Sequence, residues 1–174
     1  PGKCYYQSCG GIVFYVFIVT SKKTMIEVKN ISKQYGRKIV LDGVDLQFPI
    51  GKITSLIGSN GAGKSTLLSI VSRLLAQDGG VVTVDGKNVS DYKNKVLAQR
   101  LSILKQSNHI RLKLTVRELV SFGRFPYSQD KLTDEDNEKV DRAIRFLDLK
   151  DIENAYIDEL SGGQKQRAYM AMVV

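Results

Sequence analysis

The chain has 174 residues, 43% of them hydrophobic, and a formal net charge of +8. That is one domain's worth of chain with enough apolar content for a core; its positive charge is spread along the sequence instead of gathered into a stripe, which speaks against a nucleic-acid-binding protein. The two cysteines, Cys4 and Cys9, leave everything after them without a disulfide framework or zinc site, and the longest apolar run, residues 12–19, is far short of the ~18–20 residues that cross a bilayer.

Residues 1–24 contain Lys3, Lys22 and Lys23, several aromatics and no acid. From Met25 the composition becomes that of an ordinary soluble domain, so the first 24 residues are read as a non-family extension, an upstream translated segment or cloning remnant, and set aside. Ile26, Val28 and Ile31 then alternate with polar residues, and 44–48 (Val-Asp-Leu-Gln-Phe) alternate cleanly, predicting half-buried strands. The apolar run 53–57, within 52–57, predicts a buried strand. Residues 64–75 predict a helix with Leu67, Leu68, Val71, Leu74 and Leu75 on its apolar side. A strand at 81–84 meets the turn pair Asp85-Gly86 and returns at 87–89, and 101–104 is another short apolar strand. Residues 115–122 and 133–147 predict helices. The second has Thr133 as N-cap, acids in its first turn, and Val140, Ala143, Ile144 and Leu147 on one face. The order is antiparallel strands, a strand–loop–helix unit, then mostly helix: a mixed α/β core with a helical insert.

The chemistry is concentrated in Gly58-Ser59-Asn60-Gly61-Ala62-Gly63-Lys64-Ser65, which fits the phosphate-loop pattern G-x-x-x-x-G-K-[ST]. Three glycines let the backbone curl with its N–H groups turned inward on an anion. The helix that follows adds roughly half a positive charge at its N-terminus. In such a loop Lys64 reaches the β- and γ-phosphates, the Ser65 hydroxyl ligates Mg²⁺, and Thr66 contacts phosphate. A second motif, Leu160-Ser161-Gly162-Gly163-Gln164, has Ser161 as an N-cap candidate and two glycines that expose the N–H groups of a helix start. Alone, such a cap means little; downstream of a phosphate loop it means more.

With both motifs in view, the sequence from Met25 to Val174 resembles the ATP-binding subunits of ABC transporters. Gly58 to Ser65 matches Walker A and Leu160 to Gln164 the ABC signature. Gln106 matches the Q-loop glutamine, which the resemblance makes a second Mg²⁺ ligand, and Tyr35 matches the aromatic that stacks on adenine. What the resemblance implies is a P-loop NTPase (RecA-like) core with an antiparallel β subdomain, a helical subdomain at about 107–170, and ATP and Mg²⁺ as ligands. It also implies a head-to-tail dimer in which Ser161, Gly162 and Gly163 act on the partner's ATP, and transmembrane permease subunits at the cytoplasmic face of the membrane. The stretches 115–127 and 164–170 look like those of importers for ferric siderophores, haem or cobalamin, iron–siderophore uptake first among them. The family continues beyond the position of Val174 with a Walker B aspartate, a catalytic glutamate and a switch histidine. The sole histidine, His109, is read as an exposed loop residue and stands in the wrong place for that switch. The expectation is therefore a domain incomplete at its C-terminus: residues 1–174 bind nucleotide, carry no catalytic residue of their own and turn over negligibly, leave an apolar sheet edge unpaired, and belong to a parent that is an ATPase. A non-hydrolysing nucleotide-binding fragment and a soluble ABC-type ATPase outside transport are the alternatives.

Overall fold

The computed structural model describes residues 18–20, 24–104, 113–128 and 131–173. Cys4, Cys9, Gln106 and His109 lie outside the described residues. The chain divides into two units, Pro1–Gln106 and Ser107–Val174.

The first unit runs β1 (Ile18–Thr20), β2 (Ile26–Tyr35), β3 (Lys38–Phe48), α1 (Lys64–Val71), β4 (Gly79–Val84), β5 (Lys87–Asn88), α2 (Asn94–Ala98) and β6 (Leu101–Ile103). Four strands form one antiparallel sheet in the order β3-β2-β4-β5. The alternation read in the sequence sets the inner face of β2, where Ile26, Val28 and Ile31 are buried; Val82 and Val84 of β4, opposite Val28 and Ile26, are buried beside them. They pack in one cluster with Leu41 and Phe48 of β3 and with Leu67, Leu68, Ile70 and Val71 of α1. Burying such a side chain contributes about 1.5–3 kcal/mol. That is what holds an eight-residue helix, since isolated helices of this length are marginal in water. At the tip of β4–β5, Asp85 (φ 50°) and Gly86 (φ 77°) both take left-handed backbone, as a two-residue hairpin turn requires.

Two expectations are corrected here. The helix from Lys64 ends at Val71, because Arg73 turns left-handed (φ 59°) and its amide donates to the Ile70 carbonyl; Leu74 lies outside the helix and is exposed. The run 52–57 forms no strand. It keeps the alternation of one, with Leu56 turned toward the core, while Ile53 and Ile57 are 68% and 65% exposed. A strand buried on both faces needs neighbours to complete its ladder, and no described strand runs beside this one. Within the segment before Met25, β1 pairs antiparallel with β6, Ile18 opposite Ile103 and Thr20 opposite Leu101.

The second unit holds α3 (Val116–Phe122), α4 (Phe125–Ser128), α5 (Asp134–Phe146) and α6 (Gly162–Val173). Helices α3, α5 and α6 pack on one another through Val116, Leu119, Val120, Val140, Ile144, Ala168, Tyr169 and Ala171, all buried. Both expected helices start at capping boxes: Thr115 with Glu118, and Thr133 with Asp136. The Asp136 side chain is almost wholly buried. It accepts from the Ser128 hydroxyl, from the Thr133 hydroxyl at 2.7 Å and amide at 3.0 Å, and from Arg124 Nε at 2.8 Å. These donors, the Ser128 hydroxyl first and the Thr133 groups next, hold its carboxyl well below the usual carboxylate range. Asp136 thereby ties α4 to the start of α5.

Candidate functional site

The phosphate-loop residues close around the start of α1. Gly63 is the helix N-cap in left-handed conformation, φ 81°, with no side-chain cap. Gly61 is also left-handed, φ 83°. The first helical amide to find a carbonyl in the loop is that of Leu67, bonded to Gly63 O at 2.8 Å. The turn before it thus presents amides that no carbonyl within the helix reaches, the donor set an oxyanion takes.

β3 presses against this loop from behind. A methyl group on Gly63 would stand 2.8 Å from the Val40 carbonyl oxygen and 2.8 Å from Leu41 Cδ2. Glycine is required here by both backbone angle and lack of room. The sequence reading began its strand only at Val44 and missed Val40 and Leu41 as the backing of the loop; the apolar run Ile39-Val40-Leu41 was the available signal.

Lys64 is buried, 9% exposed. Its ammonium donates to the carbonyls of Gly58 and Ser59, both at 2.7 Å. The charge is therefore held inside the curl of the loop, within reach of any anion entering it. Ser65 and Asn60 are exposed, Thr66 half-buried, and Ala62 closes a turn by donating its amide to Ser59 O at 3.2 Å. Lys64, Ser65 and the helix amides form a donor and ligand set that suits a Mg²⁺–triphosphate. A magnesium site here would draw most of its ligands from phosphate and water. Among the described residues no group of three or more His, Cys, Asp or Glu side chains could hold a metal.

Tyr35 closes β2, paired with Lys38 across the turn Gly36-Arg37. Its ring is half exposed, and Lys33 Nζ stands 5.7 Å from the ring centroid. The same β2–β3 hairpin contributes Val40, two residues past Lys38 and about 7 Å along the strand, to the back of Gly63. Tyr35 and the backing of the loop thus lie on one hairpin.

In the second unit, Ser161 caps α6 as the sequence suggests. Its hydroxyl accepts from the Gln164 amide at 3.3 Å, and Gln164 Oε1 accepts from the Ser161 amide at 2.9 Å. This reciprocal box leaves Gly162 and Gly163, both exposed, as the residues whose first-turn amides face outward. A methyl on either glycine would meet nothing within 4 Å. Leu160 is buried and anchors the turn. Nothing in the packing of the described residues demands glycine at these two positions, in contrast to Gly63.

Comparison with known proteins agrees with this geometry. The sequence model of a family described as ABC transporter matches residues 41–174. Two petrobactin import ATP-binding proteins, YclP of Bacillus subtilis (strain 168) and FatE of Bacillus anthracis, are 54% and 52% identical over 150 residues, covering 86% of this chain and 60% of each relative. The ferric enterobactin transport ATP-binding protein FepC of Escherichia coli (strain K12) is 35% identical over 158 residues, covering 90% of this chain and 58% of the relative. A solved ATP-binding cassette of an ABC transporter, MJ1267, superposes with a TM-score of 0.72 at 26% identity, covering 86% of this chain and 64% of that one. The chain thus spans about three fifths of the length of the curated relatives it matches. The P-loop NTPase core expected from the sequence is the fold found. Because the family match runs unbroken through both the loop at Lys64 and the capped glycine pair at Gly162, the chain belongs to the ABC transporter family.

Proposed function

We propose that the chain binds ATP with Mg²⁺ at Gly58 to Thr66, with Tyr35 against the adenine, and that the whole protein hydrolyses ATP to drive import of iron–siderophore complexes. The observation that carries the reading is the buried Lys64 ammonium held across the loop carbonyls. A phosphate chain entering the loop takes over that charge and the α1 amides together. The Ser65 hydroxyl and, by the family pattern, Gln106 would hold Mg²⁺, which would supply charge neutralisation to the phosphate tail. The chain's own residues do the rest. Lys64 orients the phosphate tail, Gly63 lets the backbone reach it, and the outward amides of Gly162 and Gly163 offer a second helix start to a nucleotide held by another subunit. Charge matching between those two helix termini and a triphosphate makes ATP an adhesive between subunits, and hydrolysis weakens it.

The siderophore reading rests on the names of the relatives at 54% and 52% identity, both petrobactin importers. No helix among the described residues is long and apolar enough to cross a membrane. In the importer reading, passage of the substrate falls to permease subunits, with this protein peripheral at the cytoplasmic face. Two measurements test the proposal. Equilibrium dialysis with Mg-ATP must show retention that Lys64→Ala weakens on the order of 10- to 100-fold. Cells lacking the intact gene must lose uptake of radiolabelled ferric petrobactin; undiminished uptake would remove the substrate assignment while leaving the nucleotide assignment standing.

A further inference from the structure

Strand β2 outruns its neighbour. β4 pairs with β2 only as far as Ser32 opposite Gly79, so Lys33, Gln34 and Tyr35 have β3 on one side and no β4 rung on the other. The vacancy is filled by one side chain. Asp78, the residue before β4, donates its amide to Ser32 O at 2.9 Å, and its carboxylate extends the ladder. Oδ2 accepts the Gln34 amide at 2.7 Å, and Oδ1 accepts the Lys33 ammonium at 2.6 Å. That ammonium is also the group facing the Tyr35 ring. One carboxylate therefore fixes the backbone on the N-terminal side of Tyr35 and the cation on its ring.

We propose that Asp78 is a positioning residue for base recognition: by supplying the missing rung of β2 and anchoring Lys33, it holds the Tyr35 ring where an adenine stacks. This rests on the reading of Tyr35 as the base-stacking residue. Asp78 does not itself touch nucleotide. Lys33 and the Gln34 amide, in that order, hold its carboxyl below the ordinary aspartate range, so it is an anion under all ordinary conditions. Losing it leaves the last three residues of β2 held from one side, and a stacking platform that wanders loses contact with the base while the phosphate loop is unaffected.

The experiment compares two ligands, Mg-ATP and Mg-tripolyphosphate, on the intact protein and its variants. Only the first has a base, so a loosened Tyr35 separates them, whereas a general structural defect weakens both. Tyr35→Ala is expected to lose about tenfold or more in ATP affinity with tripolyphosphate unchanged. Asp78→Asn is expected to lose about fivefold for ATP only, to add nothing on top of Tyr35→Ala, and to be rescued by Asp78→Glu. If Asp78→Asn does not fold, Lys33→Met, which keeps the Gln34 rung, must show the same ATP-selective loss. Equal weakening of both ligands, or full ATP affinity in the Asp78 and Lys33 variants while Tyr35→Ala remains selective, overturns the role of Asp78 and leaves Tyr35 in place. Unchanged ATP affinity in Tyr35→Ala overturns both.

Discussion

A single methyl group, added at two different glycines, should separate folding from function in this chain. At Gly63 the methyl of alanine lands 2.8 Å from the Val40 carbonyl and 2.8 Å from Leu41 Cδ2, on a residue whose φ is 81°. Left-handed backbone costs a non-glycine residue about 1–2 kcal/mol, and crowding a packed site costs a further ~1–3 kcal/mol. Gly63→Ala should therefore lose about 2–5 kcal/mol from a total that for a domain is only ~5–15 kcal/mol. The backing atoms are a backbone carbonyl in a paired strand and a core leucine, and neither can retreat cheaply. At Gly162 the same methyl meets nothing within 4 Å, so Gly162→Ala should stay within about 0.5 kcal/mol of wild type. Its effect should appear in turnover of the intact protein, about tenfold or more, because the methyl stands where another subunit's phosphate would approach. Urea unfolding with comparison of m-values measures the first quantity; steady-state ATPase measures the second. A Gly63→Ala protein that unfolds at the wild-type midpoint would refute the packing argument at the loop. A Gly162→Ala protein that is stable and fully active would refute the outward-facing role of the second helix start.

Lys64→Ala removes the ammonium from the Gly58 and Ser59 carbonyls. Charged hydrogen bonds contribute about 1.5–3 kcal/mol, so Mg-ATP affinity should fall on the order of 10- to 100-fold by equilibrium dialysis; unchanged affinity contradicts the site. Thr133→Ala, which deletes the cap of α5 and one donor to Asp136, should cost about 0.5–2 kcal/mol in urea unfolding, with Thr133→Ser near wild type; equal loss in both would point away from the hydroxyl. The Asp136 carboxyl titrates lower in the folded chain than in the unfolded one. Its stabilisation is therefore complete above the unfolded value of ~3.9 and is lost as pH falls below it. The stability gap between wild type and Asp136→Asn should be wide at neutral pH and narrow once pH drops under about 4; a gap independent of pH would show that the charge of Asp136 is not what ties α4 to α5.

Local signals carried most of what the sequence revealed. β2 was legible because its alternation matches a sheet with one face on a core, and the starts of α5 and α6 were legible because Thr133 and Ser161 stand as caps ahead of them. The end of α1 was not, since the apolar spacing continues through Leu74 and only the left-handed turn at Arg73 stops the helix. Helix α2 went unread for the opposite reason: its five residues, Asn94–Ala98, are too few to show a period. Among site residues the phosphate loop declared itself by spacing. Asp78 could not, because it works through atoms whose partners are remote in sequence and set by strand register, 44 residues away in its pair with the Gln34 amide.

The run 53–57 shows where such reading ends. Its composition fits a strand, and it does lie with alternate residues toward the core. Yet a strand is a relation between segments: the ladder hydrogen bonds belong to the pair, and hydrophobic pattern alone fixes only which side chains face inward. Ile53 and Ile57 point away from the sheet that covers Leu56, on the segment that delivers the chain into the phosphate loop. A second layer over those two isoleucines would both bury them and stiffen the approach to Gly58. Replacing both by serine should therefore leave residues 1–174 as stable as before, since the isoleucines are already exposed there, and raise their solubility. In the intact protein the same pair of substitutions separates two cases by urea unfolding. A cost of several kcal/mol means that another part of the protein covers this face; no cost means that the exposure seen here is its working state.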